Sequence, residues 1–298
     1  MHESYIAQPR SSGLVATVKT SRFAPSPSGR LHLGHAYSAV AGQAAGARFH
    51  LRIEDLDAGR CRAEYVEGIF EDLRWLGIAW DGEVLVQSTR IAAYDAALDQ
   101  LRARGLVYPC FCTRADIAAS LTAPHGDAAA SYPGTCRDLP DDPARRDAMP
   151  HSWRLDSSKA LAITGPPSWS EDKSNFTATA TDIDDVILAR KDVHAAYHLA
   201  CVVDDAASGV DLVVRGKDLR PSTPVQRLLQ LMLGLPEPAY LHHPLVAHGA
   251  EHEEGRRLAK RDLAPTLAAM RERGVDGPAL AADLAAGRLP LGFRFVEA

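Results

Sequence analysis

Arg22-Phe-Ala-Pro-Ser-Pro-Ser-Gly-Arg-Leu-His-Leu-Gly-His35 is the stretch that decides the reading of this chain. Residues 18–23 before it alternate like a short strand, and residues 33–47 are rich in Ala and other good helix formers. The Pro, Ser and Gly between them make a tight loop. A helix N-terminus carries unpaired backbone N–H groups and about half a positive charge, so such a hand-over binds phosphate. Gly34 permits close approach of the backbone to a ligand. His32 and His35, spaced i, i+3, share one side of the first turn. Two imidazole N–H donors there can reach phosphate oxygens and follow charge as it builds in a transition state. The plain alternative is a surface helix capped by two histidines. A metal pair fits less well, since zinc-binding histidine pairs on helices favour i, i+4.

Working outward, residues 49–53 alternate as a second strand, which completes the opening of a doubly wound α/β sheet. Residues 63–76 carry Val66, Ile69, Phe70, Leu73 and Leu76 at helical spacing, with Gly77 placed to stop the helix. Residues 89–104 repeat the pattern before Gly105. Residues 108–150 are rich in Cys, Pro, Gly and Asp and read as an irregular insertion. A strand is expected over 211–215, a helix over 224–233, a polar loop over 245–261, and short helices near 265–273 and 278–286.

The 298 residues suit two domains, or one with an insertion, at about 100–200 residues per domain. A 46% hydrophobic, 24% charged composition excludes disordered and collagen-like classes. A net charge of −5 argues against nonspecific coating of nucleic acid, so any RNA contact falls to local arginines. Neither an export signal nor an apolar run long enough for a membrane span is present, so a cytoplasmic protein is expected. In that reduced setting clustered cysteines are more often metal ligands than disulfides. Cys110, Cys112 and Cys136 cluster in the irregular insertion; three thiolates and one further ligand suit tetrahedral zinc, with buried reduced cysteines as the alternative. Cys61 and Cys201 read as structural.

The quoted stretch resembles the signature of class I aminoacyl-tRNA synthetases: HLGH at 32–35 matches their HIGH motif, and RFAPSPSG is similar to the glutamyl/glutaminyl branch. LRIEDLD at 51–57, WDG at 80–82, Asp204, Asp205 and VVRGKDL at 213–219 resemble further motifs of that branch, in order. Together they cover roughly residues 20–262. The resemblance implies an α/β fold of class I synthetase Rossmann type, a doubly wound parallel sheet with an inserted zinc-containing, acceptor-type module. The expected organisation is a loose tail at 1–17, a first catalytic half at 18–107, the insertion at 108–195, a second half at 196–262 and short helices at 263–298.

Glutamate carries two carboxylates and one ammonium, so its pocket needs two cationic or amide clamps and one acid. The resemblance assigns Arg22, Ala24, Ser26, Glu54, Tyr197 and Arg215 to glutamate, the arginines pairing its carboxylates and Glu54 its ammonium. Taken alone, Arg22 and Glu54 also read as an ion pair at the end of the sheet. GRRLAKRD at 255–262 resembles the KMSKS loop. Lys260 then stabilises the triphosphate, Arg257 keeps the charge of the first lysine, and Ala259 lacks the usual hydroxyl. With His32, Gly34 and His35 these residues make the ATP site, and His32, His35 and Lys260 the catalytic set. ATP and Mg²⁺ are implied. The CxC…YxxxC pattern resembles the zinc site of short glutamyl-type paralogues, which adds Tyr132 as fourth ligand, with His125 competing.

Only 37 residues follow Arg261. A full glutamyl-tRNA synthetase has an anticodon-binding domain there, so none is expected, and the chain resembles the short paralogues. That resemblance implies activation of L-glutamate without tRNA, transfer to queuosine at the wobble position of tRNA(Asp), and a monomer. RNA contact would use arginines such as Arg145, Arg146 and Arg220. The alternatives are a synthetase core charging a tRNA 3′ end, or a non-catalytic zinc-stabilised binding paralogue.

Overall fold

The computed structural model describes residues 19–113, 116, 132–190, 194–248, 256–257 and 265–297. Strand β1 (Thr20–Phe23) runs into the loop and α1 (Leu33–Ala45), followed by β2 (Arg48–Ile53), α2 (Ala63–Trp75), β3 (Leu85–Val86) and α3 (Ile91–Ala103). Next come β4 (Val107–Cys110), α4 (Pro143–Ala148), β5 (Ser152–Leu155), α5 (Ser157–Thr164), β6 (Ser168–Glu171), β7 (Ser174–Thr177) and β8 (Ile187–Arg190). The chain returns through α6 (Tyr197–Ala207), β9 (Leu212–Gly216), α7 (Thr223–Leu233), β10 (Ala239–His243), β11 (Leu245–His248) and β12 (Arg256–Arg257). Helices α8 (Leu267–Glu272) and α9 (Gly277–Ala285) precede β13 (Phe293–Val296).

Parallel pairing of β1 with β2 and β2 with β3 builds one half of a doubly wound sheet, and β9 with β10 and β10 with β6 the other. The Asp211 N–H donates to the Thr20 carbonyl at 3.1 Å, and the Thr20 N–H to Asp211 Oδ1 at 2.7 Å, joining β1 to β9. Strands inside such a sheet are covered on both faces. Ser21, Arg22 and Phe23 are therefore all buried, and so are Leu51, Arg52 and Ile53. Arg22 and Arg52 cannot reach water, and their charges must be met inside.

The insertion is less separate than its composition implies. Strands β4, β5 and β8 form an antiparallel sheet, but the β6–β7 hairpin adds to the catalytic sheet through β10. Leu155, Trp169 and Leu188 share one hydrophobic core with Leu199, Leu228 and Tyr240. That hairpin carries no Gly at its turn: Asp172 and Lys173 hold the positive φ angles themselves, at 46° and 64°. The expected loop over 245–261 is corrected at its start, where β11 pairs antiparallel with β13. LVAH is too short to declare a strand alone, and its partner lies far along the chain. Gly77 does stop its helix: α2 ends at Trp75, and Gly77 has φ of 74°.

Candidate active site

The loop after β1 is tied to β2 by the Glu54 N–H, which donates to the Pro25 carbonyl at 3.1 Å. His32 is the N-cap of α1. Its Nδ1 accepts from the Gly34 N–H at 3.2 Å, and its own N–H donates to His35 Nδ1 at 3.2 Å. The two rings stand 3.8 Å apart between centroids. Capping and phosphate binding are thus not rivals here. A neutral imidazole whose Nδ1 accepts carries its proton on Nε2, so the cap sets both rings as Nε2–H donors. A Cβ at position 34 would lie 3.1 Å from the His32 ring, which is why a glycine stands between the two histidines.

Behind this loop lies a buried ionic chain. Arg22 Nε donates to Asp205 Oδ1 at 3.0 Å, and Arg22 Nη1 to the Val214 carbonyl at 3.1 Å. Arg52 Nη1 donates to the same Asp205 oxygen at 2.5 Å, and Arg52 Nη2 to Glu54 Oε1 at 3.1 Å. Glu54 therefore pairs with Arg52, and the simple Arg22–Glu54 ion pair is replaced by a chain through Asp205. Cys201 belongs to the same cluster, 3.5 Å from Asp205 Oδ2. Burial alone would raise the Asp205 carboxyl, but Arg22 and Arg52 hold it well below the usual carboxylate range. Burial raises the Glu54 carboxyl above its ordinary value, against the pull of Arg52 and Arg22. Asp204, its neighbour, is a structural anchor: it accepts from Gln87, Arg90 and Tyr94 at 2.7–2.9 Å, fastening α6 to the start of α3.

Arg215 is the exception among the buried arginines of this region. It is 4% exposed. Its guanidinium donates to His242 Nε2 at 3.1 Å, Gln226 Oε1 at 2.7 Å, Thr223 Oγ1 at 2.8 Å and the Tyr197 hydroxyl at 3.4 Å, all neutral groups. Among the described residues no carboxylate lies within ion-pair distance of it. A buried charge without a counter-charge is costly, so this position favours an anionic ligand group. Burial raises the Tyr197 phenol, keeping it a neutral hydroxyl.

A cavity of about 580 Å³ opens onto these groups. Arg22, Ala24, Ser26, His32, Gly34, His35, Glu54, Tyr197 and Arg215 all line it, as do His243, Asp218 and Ser38. Sequence reading placed Arg52 and Asp205 in motifs without a role at the site, and it missed His242, Gln226 and Thr223; these residues hold the arginines in place. For the last three the only signal was polarity inside apolar elements. Of the KMSKS-like loop, Arg257 is described for its backbone alone, which pairs with Ala247 of β11. Lys260 and Ala259 lie outside the described residues. The arginines considered for RNA are all engaged: Arg145 stacks over Phe111, Arg146 pairs with Asp141, and Arg220 pairs with Glu171.

The sulfurs of Cys110, Cys112 and Cys136 lie within 4.8 Å of one another. Cys112 and Cys136 are 3.5 Å apart, near the ~3.8 Å between two sulfurs bound tetrahedrally to one zinc at ~2.3 Å. The Tyr132 hydroxyl stands 3.3 Å from Cys110 Sγ and 3.6 Å from Cys112 Sγ. The donor set fits zinc, which would crosslink β4 to the 132–136 turn. His125 lies outside the described residues.

Residues 17–288 match the family of tRNA synthetases class I (E and Q), catalytic domain. The chain belongs to that family and is a ligase of the class I aminoacyl-tRNA synthetase type. Within the family it is 44% identical over 271 residues to the glutamyl-Q tRNA(Asp) synthetase of Rhodobacter capsulatus, a match covering 85% of this chain and 95% of that one. It is 48% identical over 260 residues to the protein of the same name from Nocardia farcinica, covering 85% and 79%. Among solved structures it resembles a glutamate tRNA ligase from Elizabethkingia meningosepticum in complex with its amino acid, with a TM-score of 0.74 and 26% identity. That match covers 90% of this chain but 60% of the ligase. Among the described residues no helix is long and apolar enough to cross a membrane.

Proposed function

We propose that this enzyme activates L-glutamate with ATP in the absence of tRNA and transfers it to queuosine at the wobble position of tRNA(Asp). The observation that carries the glutamate reading is Arg215, a buried guanidinium without a carboxylate partner among the described residues, facing the cavity that begins at the His32–His35 helix start. Arg215 takes one glutamate carboxylate, with the Tyr197 hydroxyl beside it. Glu54 takes the ammonium, Arg22 lines the wall held by Asp205, and Ala24 and Ser26 supply the loop surface. A neutral amide in place of that carboxylate would leave Arg215 uncompensated, which selects glutamate over glutamine by a few kcal/mol.

The glutamate α-carboxylate attacks the α-phosphorus of ATP in line, expelling pyrophosphate and leaving glutamyl-adenylate. The nucleophile is already ionised, so no general base is needed. The chain supplies position and charge: His32 and His35 Nε2–H and the α1 N-terminus meet the phosphates. Lys260 and Arg257, assigned by resemblance, complete the triphosphate site, and Mg²⁺ enters with the nucleotide as part of the substrate. A hydroxyl of the queuosine cyclopentene-diol then attacks the activated carbonyl and expels AMP. The acceptor assignment draws on the two relatives named for glutamyl-Q tRNA(Asp) chemistry, whose lengths the chain covers at 95% and 79%. Zinc held by Cys110, Cys112, Cys136 and Tyr132 is structural in this reading.

The glutamate tRNA ligase likeness keeps a second reading open, charging of a tRNA 3′ end. ATP–pyrophosphate exchange with glutamate alone, followed by nucleoside mass spectrometry of tRNA(Asp), separates them. Exchange without tRNA and labelled glutamate on queuosine are expected. Label on the 3′ adenosine, or exchange only with tRNA(Glu), would overturn the proposal.

A further inference from the structure

Arg215 is anchored from behind as well as opened to the cavity in front. A guanidinium only donates, so the His242 Nε2 that meets Arg215 Nε at 3.1 Å must accept, and the ring's proton sits on Nδ1. His242 Nδ1 stands 3.1 Å from Glu171 Oε1, a close electrostatic contact without hydrogen-bond geometry, and the His242 side chain has no solvent exposure. The ring lies parallel to Tyr240, at 7°. Burial and the nearby Arg215 lower the His242 pKa to about 4, so it stays a neutral acceptor across the working range. Glu171 is itself fixed, accepting from Trp169 Nε1 at 3.2 Å and Arg220 Nε at 3.0 Å.

We infer that His242, packed beside the Glu171 carboxylate, is a positioning residue that orients the Arg215 fork toward the substrate carboxylate. The inference rests on the glutamate reading of the cavity. With Nε held by His242, Nη1 by Gln226 and Tyr197, and Nη2 by Thr223, the guanidinium plane is fixed where it meets the cavity. Neither His242 nor Glu171 lines the glutamate cavity; both line a neighbouring cavity of about 1420 Å³ that shares Asp218 and Leu245 with it. The two residues thus act through Arg215 and not on the substrate.

The test is tRNA-free ATP–pyrophosphate exchange, reading KM for glutamate and KM for ATP separately. The set is the full-length wild type, His242→Leu, His242→Gln and Glu171→Ala. Glutamine can place its carbonyl oxygen where Nε2 was. His242→Leu should raise the glutamate KM about 10-fold or more, since it leaves a buried N–H without an acceptor, while the ATP KM moves less than about 2-fold. His242→Gln should recover most of that loss, and Glu171→Ala should raise the glutamate KM about 3-fold by loosening the ring. An unchanged glutamate KM in His242→Leu, parallel rises for both substrates, or no rescue by glutamine overturns the inference. Should His242→Leu fail to fold, an unchanged glutamate KM in Glu171→Ala overturns it equally. A wild type without glutamate-dependent exchange overturns the underlying reading, and the inference with it.

Discussion

Asp205 Oδ1 accepts the Arg22 Nε–H at 3.0 Å across 183 residues of sequence, a bond that ties the strand before the loop into α1 to the helix behind the second half of the sheet. The same oxygen meets Arg52 at 2.5 Å, so one carboxylate bridges two buried guanidinium groups, and Glu54 on Arg52 supplies the second negative charge. Removing one member of a buried ionic cluster leaves the others uncompensated. Asp205→Asn should therefore cost about 3–5 kcal/mol in urea unfolding. The folded pKa of Asp205 is depressed, so its contribution is complete above the ordinary carboxylate value of about 4 and is lost as pH falls below it. The stability curve of the variant should lose that acid limb. A variant as stable as the parent would show that the cluster is held by packing instead.

His32 caps α1, and the proposed function gives it a second, separable duty toward phosphate. Asparagine is a good N-cap and can replace His32 Nδ1 toward the Gly34 N–H, but it carries no imidazole. His32→Asn should keep thermal stability while lowering the exchange rate about 10²–10³-fold. His32→Ala should lose about 1 kcal/mol of stability as well. Equal rates for His32→Asn and the parent would reduce the histidine to a cap.

The pH dependence of glutamate binding should follow Glu54. Burial raises its carboxyl, so it protonates above the ordinary value of about 4.3 as pH falls, and a neutral acid holds an ammonium poorly. Glutamate KM is expected to climb in mildly acidic buffer, above that ordinary value. Glu54→Gln should raise the KM at neutral pH and flatten its acid dependence. ATP–pyrophosphate exchange at varied glutamate from pH 5 to 8 reads both, and a parent curve as flat as the variant's would remove Glu54 from the ammonium site.

Zinc should be measurable in the purified protein at about one equivalent by elemental analysis, and Cys136→Ser should lose it. Chelation should lower the melting temperature of the parent and leave that of Cys136→Ser unmoved. Tyr132→Phe, which keeps the ring, should retain less zinc under dialysis. Full retention would take the hydroxyl out of the ligand set.

Much of this was legible from local pattern. The strand–loop–helix at 20–45, the helix stop at Gly77 and the helix over 223–233 follow from propensity and hydrophobic period, which act within a few residues. Short strands did not announce themselves: β11 exists because β13, far along the chain, supplies its hydrogen bonds, and the Asp172–Lys173 turn has no glycine to mark it.

By itself the sequence determined the strand–loop–helix at 20–45, nine of the residues that line the cavity and the CxC…YxxxC cluster, because motifs preserve residue type and spacing. Only the tertiary structure decided which charge meets which. Arg22 and Arg52 look alike along the strands, as do Arg22 and Arg215 along the motifs. Yet Arg22 faces Asp205, Arg52 shares it with Glu54, and Arg215 sits among neutral donors and acceptors. Coulomb energy depends on distance in space and on burial, and neither is written in the spacing along a chain.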